Sequence, residues 1–271
     1  MPSLKINKDV TLHYFDDDFT DPWRPGQTIL LQHGFSRNGK FWYSWVPLLS
    51  REYRVLRPDL RGMGLSTIPD DLYQPDLDIF CADVINLLDN LSVGRVVYVG
   101  EAFGGIIGLK LAHAHPERIQ ALVLCNTPCQ LPRDGQSVHG GEWDDAMSQG
   151  VGAWSSATIS MRLDTRVAPE GLKEWYISEM DKTFVNIGRK LSSYMDAVDF
   201  SGQLAEVRVP TLLLSGEESR TATVEQQRFM ASRLPNCQLI IYPGLGHGIN
   251  VIYPEWCISR IREFLARHAE E

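Results

Sequence analysis

The sequence predicts an α/β protein: a mostly parallel, eight-stranded sheet with helices on both faces. Two observations carry this. Short apolar runs rich in β-branched residues alternate with longer amphipathic stretches, and most of those runs are almost continuously hydrophobic, as strands buried on both faces must be. The chain, with 271 residues of which 44% are hydrophobic, is long enough to bury a large core without disulfides or metals.

Taken in order, residues Leu4 to Tyr14 read as an opening β-hairpin, alternating around a turn at Asn7 to Asp9. Thr28 to Gln32, Tyr53 to Arg57, Val96 to Gly100, Ala121 to Cys125, Thr211 to Ser215 and Leu239 to Tyr242 are the internal strands. Asp76 to Leu91 carries Ile79, Phe80, Val84, Leu87, Leu88 and Leu91 at helical spacing, and Gly105 to His115 opens with glycine and stops before Pro116. Pro210 and Pro243-Gly244 punctuate strand ends. The alternation breaks between Cys129 and Gln203, where Trp and Met are frequent in helix-length segments. Residues 1–128 and 204–271 are therefore expected to form the core domain, with 129–203 a helical cap inserted between two strands.

Composition narrows the function classes. With 26 Lys and Arg against 34 Asp and Glu the net charge is -8, and no basic run appears, which argues against a nucleic-acid partner. Cys81, Cys125, Cys129, Cys237 and Cys257 include no CxxC and no neighbouring histidine cluster, so buried thiols are expected and no metal or other cofactor. No leader-like start and no apolar run long enough to span a bilayer is seen, so a cytoplasmic protein without a membrane partner is expected, a homodimer being left open.

The most informative segment is Val96-Val97-Tyr98-Val99-Gly100-Glu101-Ala102-Phe103-Gly104-Gly105, a buried strand that turns sharply into a helix, with glycines two before and two after Ala102. This is the GxSxG nucleophile elbow with alanine in place of the nucleophile. Together with Gln32-His33-Gly34-Phe35, Asp59-Leu60-Arg61-Gly62-Met63-Gly64, Leu122-Val123-Leu124-Cys125-Asn126-Thr127-Pro128 and Gly246-His247-Gly248, in that order, the chain resembles the α/β-hydrolases, in particular the 3-oxoadipate enol-lactonase-like esterases and lactonases. The resemblance covers nearly the whole chain. It implies a serine at the position of Ala102 attacking a carbonyl, His247 as base, and the backbone N–H groups of Phe35 and Phe103 as oxyanion hole.

The acid departs from the family pattern. Gly216-Glu217-Glu218-Ser219 puts serine where the family has aspartate, so Glu218 is the first candidate and Glu217 the second; Asn126, at another acid position, is neutral. Duller roles suit the remaining candidates. His33 reads as oxyanion-loop scaffold, His113, His115 and His139 as solvated, Asp59 and Arg61 as organisers of their loop, and Glu101 as a structural carboxylate pointing away from the pocket. Trp143, Trp154, Trp175 and Met180 of the cap are expected to divide between its own core and the pocket lining, which suits a hydrophobic ligand.

The resemblance thus implies a serine hydrolase for an ester or lactone bond of a hydrophobic small molecule, inactivated by alanine at position 102. The intact glycines, HGF segment and His247 fit a serine-to-alanine change in a working enzyme. The alternatives are a native ligand-binding or lyase-type relative and a C–C bond hydrolase with the same triad. Dehalogenases and epoxide hydrolases need a carboxylate at the elbow, and a pure interaction protein would have the space beneath the cap filled by side chains.

Overall fold

The computed structural model describes residues 2–24, 26–131 and 144–268. Eight strands form one sheet: β1 (Ser3–Lys5), β2 (Thr11–Asp17), β3 (Gln27–Gln32), β4 (Tyr53–Pro58), β5 (Val96–Glu101), β6 (Ile119–Cys125), β7 (Thr211–Gly216) and β8 (Cys237–Tyr242), in the order β1-β2-β4-β3-β5-β6-β7-β8. The hairpin strands β1 and β2 are antiparallel, with the Asn7 side-chain oxygen accepting from the amides of Asp9 and Val10 in the turn; β3 to β8 run parallel. The chain leaves β3 for β4 on one side and returns to β5 on the other. The carboxyl ends of β3 and β5 are therefore the point where the strand order reverses, the place in an open parallel sheet where a crevice for ligands forms.

Ten α-helices are described: α1 (Val46–Leu49), α2 (Leu77–Asn90), α3 (Phe103–Ala114), α4 (Asp144–Gln149), α5 (Val151–Thr158), α6 (Leu172–Met180), α7 (Val185–Ala197), α8 (Val224–Arg233), α9 (Ile249–Ile252) and α10 (Pro254–Arg267). Asp76 caps α2, its carboxylate accepting from the Asp78 amide. Successive strand residues feed opposite faces. Leu30, Leu56, Tyr98, Leu122 and Leu124 pack on one side with Phe80, Val84 and Leu88 of α2 and Ile106 and Leu109 of α3. Ile29, Leu31, Val55, Val97, Val99 and Val123 pack on the other with Trp42, Trp45, Leu49 and with Ile258, Ile261 and Phe264 of α10. Both faces are covered, which is the reason the strands lack polar alternation. Helices α4 to α7 all fall between β6 and β7. Among the described residues, no helix is long and apolar enough to cross a membrane.

Candidate active site

The bend after β5 sets the site. Ala102 has φ 49 and ψ -117, a conformation outside the regions open to residues with a Cβ, and α3 begins at the next residue, Phe103. The flanking glycines are forced by close approach. A Cβ on Gly100 would lie 2.5 Å from the Gly104 carbonyl oxygen, and one on Gly104 would lie 2.5 Å from the carbonyl oxygens of Gln32 and His33. The helix therefore starts pressed against the end of β3, and the Phe103 amide, first in the helix, has no intrahelical acceptor.

Ala102 and His247 line one small cavity of ≈ 40 Å³ together with Phe35, Phe103, Arg37, Ile106, Pro128, Leu131, Thr221 and, from the helical insertion, Arg162 and Met195. A larger hollow of ≈ 470 Å³ lies elsewhere, lined by Lys40, Tyr43, Arg57 and Trp175, and contains neither Ala102 nor His247. Size does not make it the better site; the titratable groups converge on the smaller one.

His247 follows β8 in a loop clasped from two sides: its carbonyl accepts from the Asp164 amide at 3.0 Å, and the Asn126 side-chain oxygen accepts from the Ile249 amide at 3.3 Å. The imidazole is buried, and its Nδ1 lies 3.0 Å from the Ser219 hydroxyl and 2.9 Å from that of Thr221. Its Nε2 lies 3.4 Å from Glu101 Oε1. Glu101 is itself buried in an ion pair with Arg37. Burial pushes the Glu101 carboxyl up, but Arg37 and His247 outweigh it and hold it down at about 2, so it is ionised. Burial lowers the His247 pKa and keeps the ring neutral. The ring thus faces two hydroxyls at Nδ1 and a carboxylate oxygen near Nε2.

Arg162 lies over the Trp154 ring, 4.1 Å from its centroid, and donates to Thr158 Oγ1 at 2.6 Å and to the Ser155 carbonyl at 2.9 Å. His33 is held at both ring nitrogens, Nδ1 against the Gly34 carbonyl and Nε2 accepting from the Leu60 amide, which leaves it no base role. Among the described residues no group of His, Cys, Asp and Glu has the arrangement of a metal site.

The fold and this elbow geometry together meet a family model described as alpha/beta hydrolase fold, which matches residues 27–252. The chain belongs to the alpha/beta hydrolase family. A Synechocystis protein provisionally named a non-heme chloroperoxidase is 32% identical over 265 residues, covering 89% of this chain and 91% of its own. A Pseudomonas syringae protein provisionally named a carbamate hydrolase, RutD, is 26% identical over 250 residues, covering 88% of this chain and 93% of its own. The enol-lactonase of Burkholderia xenovorans LB400 superposes with a TM-score of 0.87 at 24% identity, covering 98% of this chain and 100% of that one. The architecture is thus that of the alpha/beta hydrolases, several of whose members are hydrolases by name.

Within this member the structure brings Ala102, His247, Phe35 and Phe103 to one cavity. It does not bring the expected acid there. Glu218 is half exposed and pairs with Arg166 at 2.7 Å, while the Glu217 carboxylate accepts from the Gly244 amide at 2.8 Å. The turn after β7 explains the correction. The Glu217 and Glu218 amides are tied to the carbonyls of Tyr242 and Leu245, which sends both side chains outward and turns the third residue, Ser219, inward to the imidazole. Glu101, expected to point away, does not line the cavity but reaches His247 from below. Arg61 pairs with Asp83 of α2, whereas Asp59 organises its loop through the Gly39 and Leu65 amides.

The aromatic lining is also corrected. Trp154 is buried against Phe35 and Arg162, Met180 takes the Ser155 hydroxyl on its sulfur, and Trp175 packs on Phe41 and Tyr43; none of the three lines the cavity. Trp154 and Trp175 thus join the insertion to the core residues Phe35, Phe41 and Tyr43, Trp175 lining the larger hollow instead. Trp143 and His139 lie outside the described residues. The residues missed from sequence are Arg37, Arg162 and Thr221. Arg37 had a signal, four residues past His33 in the loop after β3; Arg162, alone among apolar neighbours, had only a weak one.

Proposed function

We propose that the Ala102 cavity is the acyl-transfer site of a carboxylic-ester or lactone hydrolase for a hydrophobic small molecule, in a form without its nucleophile. The observation that carries this reading is the backbone of Ala102, with φ 49 and ψ -117. Such a conformation costs about 1–3 kcal/mol and persists where its surroundings impose it. A methyl group gains nothing from it. A hydroxyl there would gain presentation to a cavity that His247 and the Phe103 amide already share, the amide serving as one oxyanion donor and Phe35 supplying the other. The relative named a carbamate hydrolase would act on an acyl bond of related kind.

One observation favours a second reading, a native ligand-binding relative that does not hydrolyse. His247 Nδ1 faces two hydroxyls rather than a carboxylate, so the acid is missing as well as the nucleophile. A single serine-to-alanine change accounts for one loss but not both. The test is Ala102→Ser alone and combined with Ser219→Asp, assayed on p-nitrophenyl esters and lactones. Loss of a triad nucleophile removes about 10⁶-fold in kcat, and loss of the acid alone about 10⁴-fold. The proposal expects a burst of p-nitrophenol from the single variant and faster turnover from the double. If both variants stay inert while the alanine protein binds the same esters, the ligand-binding reading replaces it.

A further inference from the structure

The His247 imidazole meets neutral groups on one side and a carboxylate on the other. Nδ1, the nitrogen that a triad acid would hold, faces the Ser219 and Thr221 hydroxyls at 3.0 and 2.9 Å, and neither brings a charge. Nε2, the nitrogen that would take a nucleophile's proton, lies 3.4 Å from Glu101 Oε1. The backbone leaves room for this carboxylate. A Cβ on Gly34 would lie 2.7 Å from Glu101 Oε2, the oxygen that Arg37 also meets.

The charged groups acting on the ring come from three elements: Glu101 at the end of β5, Arg37 in the loop after β3 and Arg162 in the insertion. Tyr176 of α6 stands beside both arginines and is kept neutral by burial. Burial and the two guanidinium groups oppose a proton on the imidazole, and Glu101 favours one. The Glu101 and His247 side chains are 1% and 2% exposed, so water screens their interaction little.

We propose that Glu101 is a positioning residue that takes over the task of the triad acid, its carboxylate supplying from the Nε2 side the negative charge that lets His247 accept a proton. The inference rests on the reading of the Ala102 cavity as an acyl-transfer site and names the group that serves in place of the acid absent at Nδ1. In Ala102→Ser the hydroxyl proton passes to Nε2 as the oxygen attacks the carbonyl carbon, and it returns to the leaving oxygen as the carbonyl re-forms. Between those events the imidazolium stands against Glu101.

The test is an NMR titration of His247 in the alanine-bearing protein, labelled with ¹³C at histidine Cε1, from about pH 8 to 4, with His247→Asn assigning the signal. Arg37→Met should raise the protonation midpoint, and Glu101→Gln added to that chain should lower it again, each by about one pH unit or more, a tenfold change in proton affinity. In this pair of variants neither leaves the other's charge buried and alone as Glu101→Gln by itself does, and circular dichroism melts establish that both are folded. A purely structural ion pair would move both midpoints in the same direction. A midpoint unchanged by Glu101→Gln, or a ring still neutral at about pH 4 in Arg37→Met, overturns the inference. On p-nitrophenyl acetate, Glu101→Gln added to Ala102→Ser should lower kcat at least about tenfold with KM within about threefold, and Ser219→Asp added to both should restore it, the charge then standing at Nδ1. A kcat indifferent to Glu101→Gln overturns the inference as well. An inert Ala102→Ser counts against the acyl-transfer reading and leaves the titration to decide the role of Glu101, so the two failures give different results.

Discussion

Glu101 shows how a residue beside a reactive position can matter more than its location suggests. Its carboxylate joins Arg37 and the imidazole of His247 under the elbow, all buried. Its folded pKa, about 2, lies below the ordinary 4.5. The sign follows: the pair contributes stability fully above the ordinary value, and that contribution is lost as pH falls from about 4.5 toward 2. Asp164, held at about 2 chiefly by its hydrogen bond to Arg166, adds to the same slope. Glu101→Gln should therefore flatten the acid limb of the stability profile measured by urea unfolding between pH 5 and 2. At pH 7 it should cost about 3–5 kcal/mol, since Arg37 is left buried and unpaired, and Arg37→Met in the same chain should recover part of that loss. An acid limb identical to that of the parent would contradict the ion-pair account.

At the scale of an element, the elbow depends on contacts that no side chain makes. Gly100 and Gly104 bring the start of α3 onto the ends of β3 and β5, with carbonyl oxygens where a methyl would sit. Gly104→Ala should destabilise the fold by about 3 kcal/mol or more, because backbone cannot yield as a flexible side chain can; a change in the denaturation midpoint worth less than about 1 kcal/mol would mean the helix can shift outward. This element was legible from the sequence because a glycine requirement follows from a strand-to-helix bend. The acid was not legible. It turns on whether the residue two or three positions after Gly216 faces inward, and that is set by amide hydrogen bonds to Tyr242 and Leu245 on a strand and loop some twenty-five to thirty residues away. The eight strands were legible for the opposite reason, since each is specified by its own apolar run, buried on two faces.

At the scale of the molecule, the sheet places the ends of β3 and β5 at its point of reversal and the insertion supplies Arg162 and Met195 from the other side. Helices α4 to α7 lie between β6 and β7, and sequence pattern did not reveal which residues of that segment face the cavity: Trp154 packs on Phe35, Trp175 on Phe41 and Tyr43, and Met180 on Ser155, while Arg162 and Met195 line it. Burial of long side chains between two layers is a property of the assembled layers, invisible to local periodicity. On the proposed function, Ala102 stands where an acyl carbonyl is presented to the backbone amides of Phe35 and Phe103. A crystal structure of the alanine-bearing protein with a bound ester or lactone checks this. The ligand's carbonyl oxygen is expected within about 3 Å of both amides, with the carbonyl carbon against the Ala102 methyl; a ligand bound elsewhere, or a carbonyl oxygen more than about 3.5 Å from both donors, would contradict the acyl-transfer site.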